Sequence, residues 1–213
     1  VHRRRPDPVL RHEVVVSLNK LRVQHPDVAI DTQAVETVLA AEVVGHYRSY
    51  QLLATLGGDD AALDGLRRAM DVERERIFRL LALLFPDHDL HSAHAGLRSD
   101  DPAVRANAVE FLDNVLEPQQ LRQQLLPLFD DQVSPAQRAA AAGGVVGATM
   151  STPEEAVRTL LASDDSWMRS CGLLAIGTLG LRELEPELDR ALDGADPRER
   201  EAALTAKRHL APA

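Results

Sequence analysis

An arginine recurs along this chain at positions 11, 74, 105, 138, 169 and 200; the last four intervals are 31, 33, 31 and 31 residues, and the first, 63, is two units. The residues after each arginine repeat as well. Three residues on stand Val14, Ile77, Ala108, Ala141, Gly172 and Ala203, and seven on stand Leu18, Leu81, Leu112, Val145, Ile176 and Lys207. Ten on stand Leu21, Leu84, Val115, Ala148, Leu179 and Leu210. Offsets of 3, 7 and 10 lie on one face of an α-helix, so each unit carries a helix with the same apolar stripe, broken only by Lys207. Asp7-Pro8, Asp101-Pro102, Ser134-Pro135, Asp165-Ser166 and Asp196-Pro197 precede these helices. An Asp or Ser oxygen there caps the first free amides, and a proline at the first helical position loses no useful N–H.

Between these helices the spacing predicts second ones over 89–98, 118–130, 152–163 and 182–193, bounded by Asp89, Pro118, Thr152-Pro153 and Gly194. A helix–turn–helix unit cannot hide its stripe alone and must stack on its neighbours. The expected fold is therefore all-α, an α-solenoid of helix pairs. Aromatic residues make up only 3% of the chain, which leaves Leu, Val and Ala to build the core and disfavours sandwiches and barrels. The expected organisation is a linker over 1–6, an N-terminal helical section over 7–70 and continuous repeats over 71–213. In the N-terminal section a helix over 8–23 precedes two long ones, over 31–56 and 60–84, and Glu42 stands where the register expects arginine.

The Asp-Pro-x-x-Arg segments at 7–11, 101–105 and 196–200, with degraded copies at 134–138 and 165–169, resemble the HEAT and HEAT-like repeat family. That resemblance implies an Asp–Arg ladder along the stack, carried here by Asp7, Asp101, Asp165 and Asp196 with Arg11, Arg105, Arg138, Arg169 and Arg200. Ser134 replaces the acid in one unit. Arg11–Arg22, with Asn19-Lys20-Leu21-Arg22, and the run Arg105–Leu116 are similar to HEAT-type domains fused to bacterial transporters of the nucleotide-translocase and major-facilitator type. This second resemblance implies a transporter upstream of Val1, with Arg3, Arg4 and Arg5 beside the membrane. The start at Val1 rather than Met is expected of a fragment of a longer protein.

The chain carries 24 Lys and Arg against 33 Asp and Glu, a net charge of −9, which disfavours general nucleic-acid binding. The small basic excess of residues 1–48 sits mainly in Arg3–Arg5. The weakly polar run Ala139–Met150 is far shorter than the roughly 20 residues that span a bilayer, and no secretory signal opens the chain. Cys171 is the single cysteine, so no internal disulfide forms and a reducing, cytoplasmic location is expected, on the cytoplasmic face of the membrane if a transporter precedes it.

Five groups invite a chemical reading. His88, His91 and His94, with Asp87 and Asp89, have metal-ligand types at helical spacing, but both acids follow Pro86 where a helix starts and read first as caps. Glu42, His46 and Tyr50 fall at i, i+4 and i+8; this is a site for pKa tuning or metal, or more simply a hydrogen-bonded seam between long helices. His12-Glu13 is one His-Glu pair where HEAT-type di-iron hydroxylases use several. Cys171 has no His near it in sequence, and Gly143-Gly144-Val145-Val146-Gly147 lacks the Lys-Ser/Thr of a phosphate loop. HEAT-like DNA glycosylases need a basic, aromatic groove, which net −9 and one Trp do not supply. No catalytic residue, metal or cofactor is expected, and a metal-dependent or nucleic-acid-acting enzyme is the alternative class.

Offsets of 2, 5 and 9 from each arginine lie half a turn from the stripe and line the inner wall of such a solenoid. They read Glu13, Val16 and Lys20; Arg76, Arg79 and Leu83; Asn107, Glu110 and Asn114; Ala140, Gly143 and Gly147; Cys171, Leu174 and Thr178; then Ala202, Thr205 and His209. The wall passes from charged to small and mildly apolar, which suits a helix or peptide lying close with polar anchors at one end. Arg76, Arg79, Asn107, Glu110, Asn114, Leu174, Thr178 and His209 are the candidate partner-binding residues. The expected function is a non-enzymatic scaffold or regulatory domain that docks a protein segment, of a separate chain or of its own parent. The competing reading is that the glycines and alanines only permit tight curvature. Helix 8–23 carries Val14-Val15-Val16 in a row and needs a cover, either the 31–56 helix or residues upstream.

Overall fold

A computed structural model describes residues 8–57, 63–147 and 149–211. The linker expected over 1–6, the Asp7 of the ladder and Ala148 of the stripe lie outside the described residues. Among the described residues all regular structure is helical: α1 Pro8–Gln24, α2 Thr32–Leu56, α3 Asp64–Leu84, α4 Leu90–Leu97, α5 Pro102–Val115, α6 Gln119–Phe129, α7 Pro135–Val146, α8 Pro153–Leu161, α9 Ser166–Thr178, α10 Glu185–Asp193 and α11 Pro197–Leu210. A short 3₁₀ turn, Arg182–Leu184, leads into α10. No described helix is long and apolar enough to cross a membrane.

The start signals act as the sequence indicates. Asp89 caps α4 by accepting from the Ser92 amide, Asp101 caps α5 through Ala103, and Thr152 caps α8 through Glu155. Asp165 caps α9 through Trp167 and Asp196 caps α11 through Arg198. Ser134 and Gln137 form a reciprocal capping box on α7. Each cap satisfies amides that have no partner within the helix, which is why α4 and α8 start within a residue of the position expected, while α10, which has no side-chain cap, starts three residues late, at Glu185.

The helices group into two compact units. Residues 9–50 and 72–147 form one, and residues 51–57, 63–71 and 149–211 form the other, so α2 and α3 each contribute residues to both. In the first unit Leu39, Val43, Tyr47, Ile77, Phe78, Leu81, Leu112, Leu125 and Phe129 are buried, and α4 packs on α5 and α5 on α6. In the second, α9 packs between α8 and α11 over Leu160, Leu173, Ile176, Ala203, Ala206 and Leu210. Small residues set those spacings. A Cβ added at Gly177 would stand 2.5 Å from the Ala206 Cα and 2.7 Å from its carbonyl oxygen, and one at Gly172 3.0 Å from the Leu160 Cβ.

The stripe holds in α5, where Ala108, Leu112 and Val115 are all buried, and in most of α3, α9 and α11. It fails in two helices. In α1, Val14 and Leu21 are exposed and Val15 is the buried residue; in α7, Ala142 is buried and Ala141 is not. Three consecutive valines and a run of alanines leave those helices with little difference between faces, so other contacts fix their rotation. For α1 these are polar: Arg11 reaches Glu42 at 3.1 Å and the Asn19 amide donates to the Arg79 carbonyl at 3.0 Å.

In α5, α7, α9 and α11 the repeated arginine clamps the turn that precedes its helix. Arg105 donates to the carbonyls of Ser99 (2.9 Å) and Asp100 (3.0 Å), Arg169 to that of Ser163 (2.8 Å) and Arg200 to that of Gly194 (3.1 Å). Ser99, Ser163 and Gly194 each lie six residues before their arginine. Arg138 reaches instead to Asp130 (2.6 Å), eight residues back, and to Pro127 (2.8 Å). The two extra residues of the 33-residue interval therefore sit inside that one turn. From Arg74, Arg105, Arg138 and Arg169 to the next clamped carbonyl, at 99, 130, 163 and 194, the spacing is always 25.

The acids of the expected ladder are engaged as caps. Three of the column arginines pair with other acids: Arg11 with Glu42 (3.1 Å), Arg105 with Asp131 (2.8 Å) and Arg169 with Glu199 (2.6 Å). Asp101, Asp165 and Asp196 face helix amides. The amides of Arg198 and Glu199, with the nearby charges of Arg198 and Arg169, hold the Asp196 carboxyl below its usual range.

Candidate functional site

In the first unit the polar stripe of α2 is a buried seam. The Glu42 carboxylate is 5% exposed and takes Arg11 on one oxygen and Arg76, at 3.0 Å, on the other. One turn on, His46 Nδ1 lies 2.9 Å from Glu73, which also accepts from the Ser49 hydroxyl at 3.2 Å. Tyr50 sits edge-on to the His46 ring and accepts from Arg138 at 3.2 Å, while the Tyr47 hydroxyl donates to the Gln124 carbonyl at 2.8 Å. Burial pushes the Tyr47 hydroxyl pKa up against the lowering charge of Arg138. Each charge in this seam has a partner, as buried charges require.

This corrects one expectation. Arg76 is buried, held by Glu42, and cannot present itself to a partner. Arg79 is half-buried and bonds Glu75 at 2.6 Å. Burial would raise the Glu75 carboxyl, but the Arg79 hydrogen bond and charge outweigh it and lower the pKa. Asn107, Glu110 and Asn114 lie exposed along α5, with the Asn114 amide donating back to the Glu110 carbonyl. The three histidines diverge. His88 meets the edge of Phe111, His91 is exposed, and His94 stacks on Phe78 with ring centres 4.6 Å apart. Burial, with the charges of Arg74 and Arg98, lowers the His94 pKa to about 4. Among the described residues no group of three His, Cys, Asp or Glu side chains is placed to hold a metal ion.

The second unit contains a cleft of about 240 Å³ between the start of α3, α9 and α11. Its walls include four residues at the expected +2 and +5 offsets: Cys171 and Leu174 from α9, Ala202 and Thr205 from α11. Thr178 and His209, at +9, lie exposed beyond it. Gly65 closes one side, where an added Cβ would meet the Cys171 sulfur at 2.5 Å. Cys171 is buried, and that burial pushes its thiol pKa up to about 11, so it serves as a neutral, weakly polar floor.

Wall periodicity misses the residues that give this cleft its chemistry: Trp167, Arg198, Arg68 and Glu201. Trp167 and Arg198 stand two residues before Arg169 and Arg200, in the same column of successive units. The Arg198 guanidinium lies over the Trp167 ring, 4.0 Å from its centre, and also donates to the Ser166 hydroxyl at 3.2 Å. Trp167 nevertheless remains 49% exposed. A lone tryptophan in a first helical turn, off the stripe, is the signal that could have marked the place.

No family model matches the chain, and no curated protein or solved structure does either.

Proposed function

We propose that the chain is a non-enzymatic interaction domain of HEAT-like helix pairs, stacked as a solenoid in the cytoplasm, that docks a protein segment in the α3–α9–α11 cleft. The carrying observation is the half-exposed Trp167 at the mouth of a cleft whose wall follows the repeat register. Tryptophan and arginine are the residues most enriched where binding energy concentrates, and a surface indole beside small-residue walls leaves apolar area for a partner to cover. Arginines engaged with turn carbonyls fit an architectural column rather than a catalytic one. The exposed Asn107, Glu110 and Asn114 are a second, polar contact strip within the same proposal.

The test is partner binding by the wild-type chain against Leu174→Arg, which fills the cleft from a half-buried position, with Glu110→Arg as a separate probe of the strip. A partner held by the wild type and released by Leu174→Arg at unchanged helicity supports the reading. Binding that is indifferent to both substitutions refutes it.

A further inference from the structure

We infer that the α3–α9–α11 cleft selects protein segments in which a carboxylate stands beside a bulky apolar side chain, Arg68 and Arg198 taking the carboxylate and Trp167 with Leu174 the apolar group. This rests on the docking reading above and names the chemistry of its partner.

Acids outnumber bases by 33 to 24 in this chain, so a guanidinium on its surface has abundant carboxylates to pair with. Yet among the described residues neither Arg68 nor Arg198 makes an ion pair, and both line the same cleft. Arg198 is not loose: the Trp167 ring and the Ser166 hydroxyl hold it, and the remaining donors of its planar fork have no partner among the described residues. A fixed fork is suited to a carboxylate, which it can bind through two parallel hydrogen bonds. Beside the two arginines lies an apolar surface, made of the exposed indole, Leu174, Ala202 and the neutral Cys171 sulfur. A carboxylate brought next to it sits at the edge of low-dielectric material, where its attraction to guanidinium is screened less than in open water.

Size and the remaining charge narrow the partner. A volume of about 240 Å³ falls below the range of sites that enclose a cofactor and fits one or two side chains of a chain passing over the cleft. Glu201 also lines the cleft and has no ion-pair partner among the described residues. A single negative charge there repels a polyphosphate backbone. It tolerates one carboxylate held on the arginine side, and it offers an acceptor to the backbone N–H groups of a peptide. Acidic protein segments are therefore favoured over nucleic acid.

The experiment pans the whole chain against a display library of random dodecapeptides, counter-selected on Leu174→Arg. Enriched peptides are then titrated by the fluorescence of Trp167, the chain's single tryptophan. The expected sequences pair Asp or Glu with Leu, Ile, Phe or Trp. Changing that acid to its amide weakens binding roughly tenfold, and the Arg68→Ala/Arg198→Ala chain no longer distinguishes the two peptides. Peptides that bind through Leu174 but show no preference for the acid overturn the carboxylate selection and leave the docking reading standing. The absence of any Leu174-dependent peptide overturns both. A single-stranded oligonucleotide that binds more tightly than the acidic peptides overturns the choice of a protein partner.

Discussion

Replacing Gly177 with alanine adds one methyl group at the closest approach of two helices. The new Cβ would stand 2.5, 2.7 and 3.0 Å from the Cα, carbonyl oxygen and carbonyl carbon of Ala206, all backbone atoms that no rotamer change can move. Ordinary contact needs about 3.5–4 Å, so α9 and α11 must part by about 1 Å. A gap of that size forfeits a quarter to a half of each dispersion contact along the interface, which buries Leu173, Ile176, Ala203, Ala206 and Leu210. Overpacking of this kind costs about 3 kcal/mol, and the better helix propensity of alanine returns about 1, for a net loss of about 2 kcal/mol. Trp167 lies in the same unit, so its fluorescence reports that unit's unfolding. The expected shift is a fall in its melting midpoint of about 8 °C. Gly144, in α7, is the control, because among the described residues nothing lies within 4 Å of its added Cβ. Gly144→Ala gains up to about 1 kcal/mol from propensity alone. A Gly177→Ala chain that melts with the wild type, or a Gly144→Ala chain that loses as much, refutes the spacing argument.

The same contacts lead to three further expected outcomes. Glu42→Gln leaves Arg76 buried beside a neutral partner and costs about 3–5 kcal/mol by urea unfolding, whereas Glu42→Leu with Arg76→Met costs less than either single change. His94 is held at about 4 against an ordinary 6.5, so the unfolded chain binds its proton first and stability falls as pH drops from about 6.5 towards 4, with no contribution above that window. The shift alone corresponds to about 3 kcal/mol, which partial solvent access reduces to roughly 1–2; His94→Phe, which keeps the stack on Phe78, should flatten that part of the stability–pH curve. Arg169→Lys keeps the charge but lacks the fork that joins the Ser163 carbonyl to Glu199, and is expected to lose about 1 kcal/mol and to behave like Arg169→Ala.

Helices and their limits were legible because they are written in local chemistry: Asp101-Pro102 or Ser134-Pro135 fixes a start whatever surrounds it. Which face a helix buries was legible only where the sequence distinguishes its faces. Ala108, Leu112 and Val115 specify α5 unambiguously, while the alanines of α7 and the valines of α1 do not, and distant polar partners chose for them. Arg76 shows the same limit. Its offset marked a wall residue, but the acid that draws it inward, Glu42, lies 34 positions away, beyond what any periodicity encodes. In the cleft, the +2 and +5 positions were readable from register. Arg68 was not, because α3 begins outside the repeat, and Trp167 and Arg198 make a pair only once α9 and α11 lie side by side.

The constant spacing of 25 from each arginine to the next clamped carbonyl has a practical corollary for anyone editing this chain. Additions between a clamped carbonyl and its arginine stay within reach of a long side chain, as Asp130–Arg138 already demonstrates with two surplus residues. A single deletion between arginine and following carbonyl would rotate everything downstream by about a hundred degrees, and no guanidinium is long enough to make that good. Peptide tags and fusion partners accordingly belong in the stretch from Asp130 to Ser134, and the helical spans on either side tolerate substitution but not a change of length.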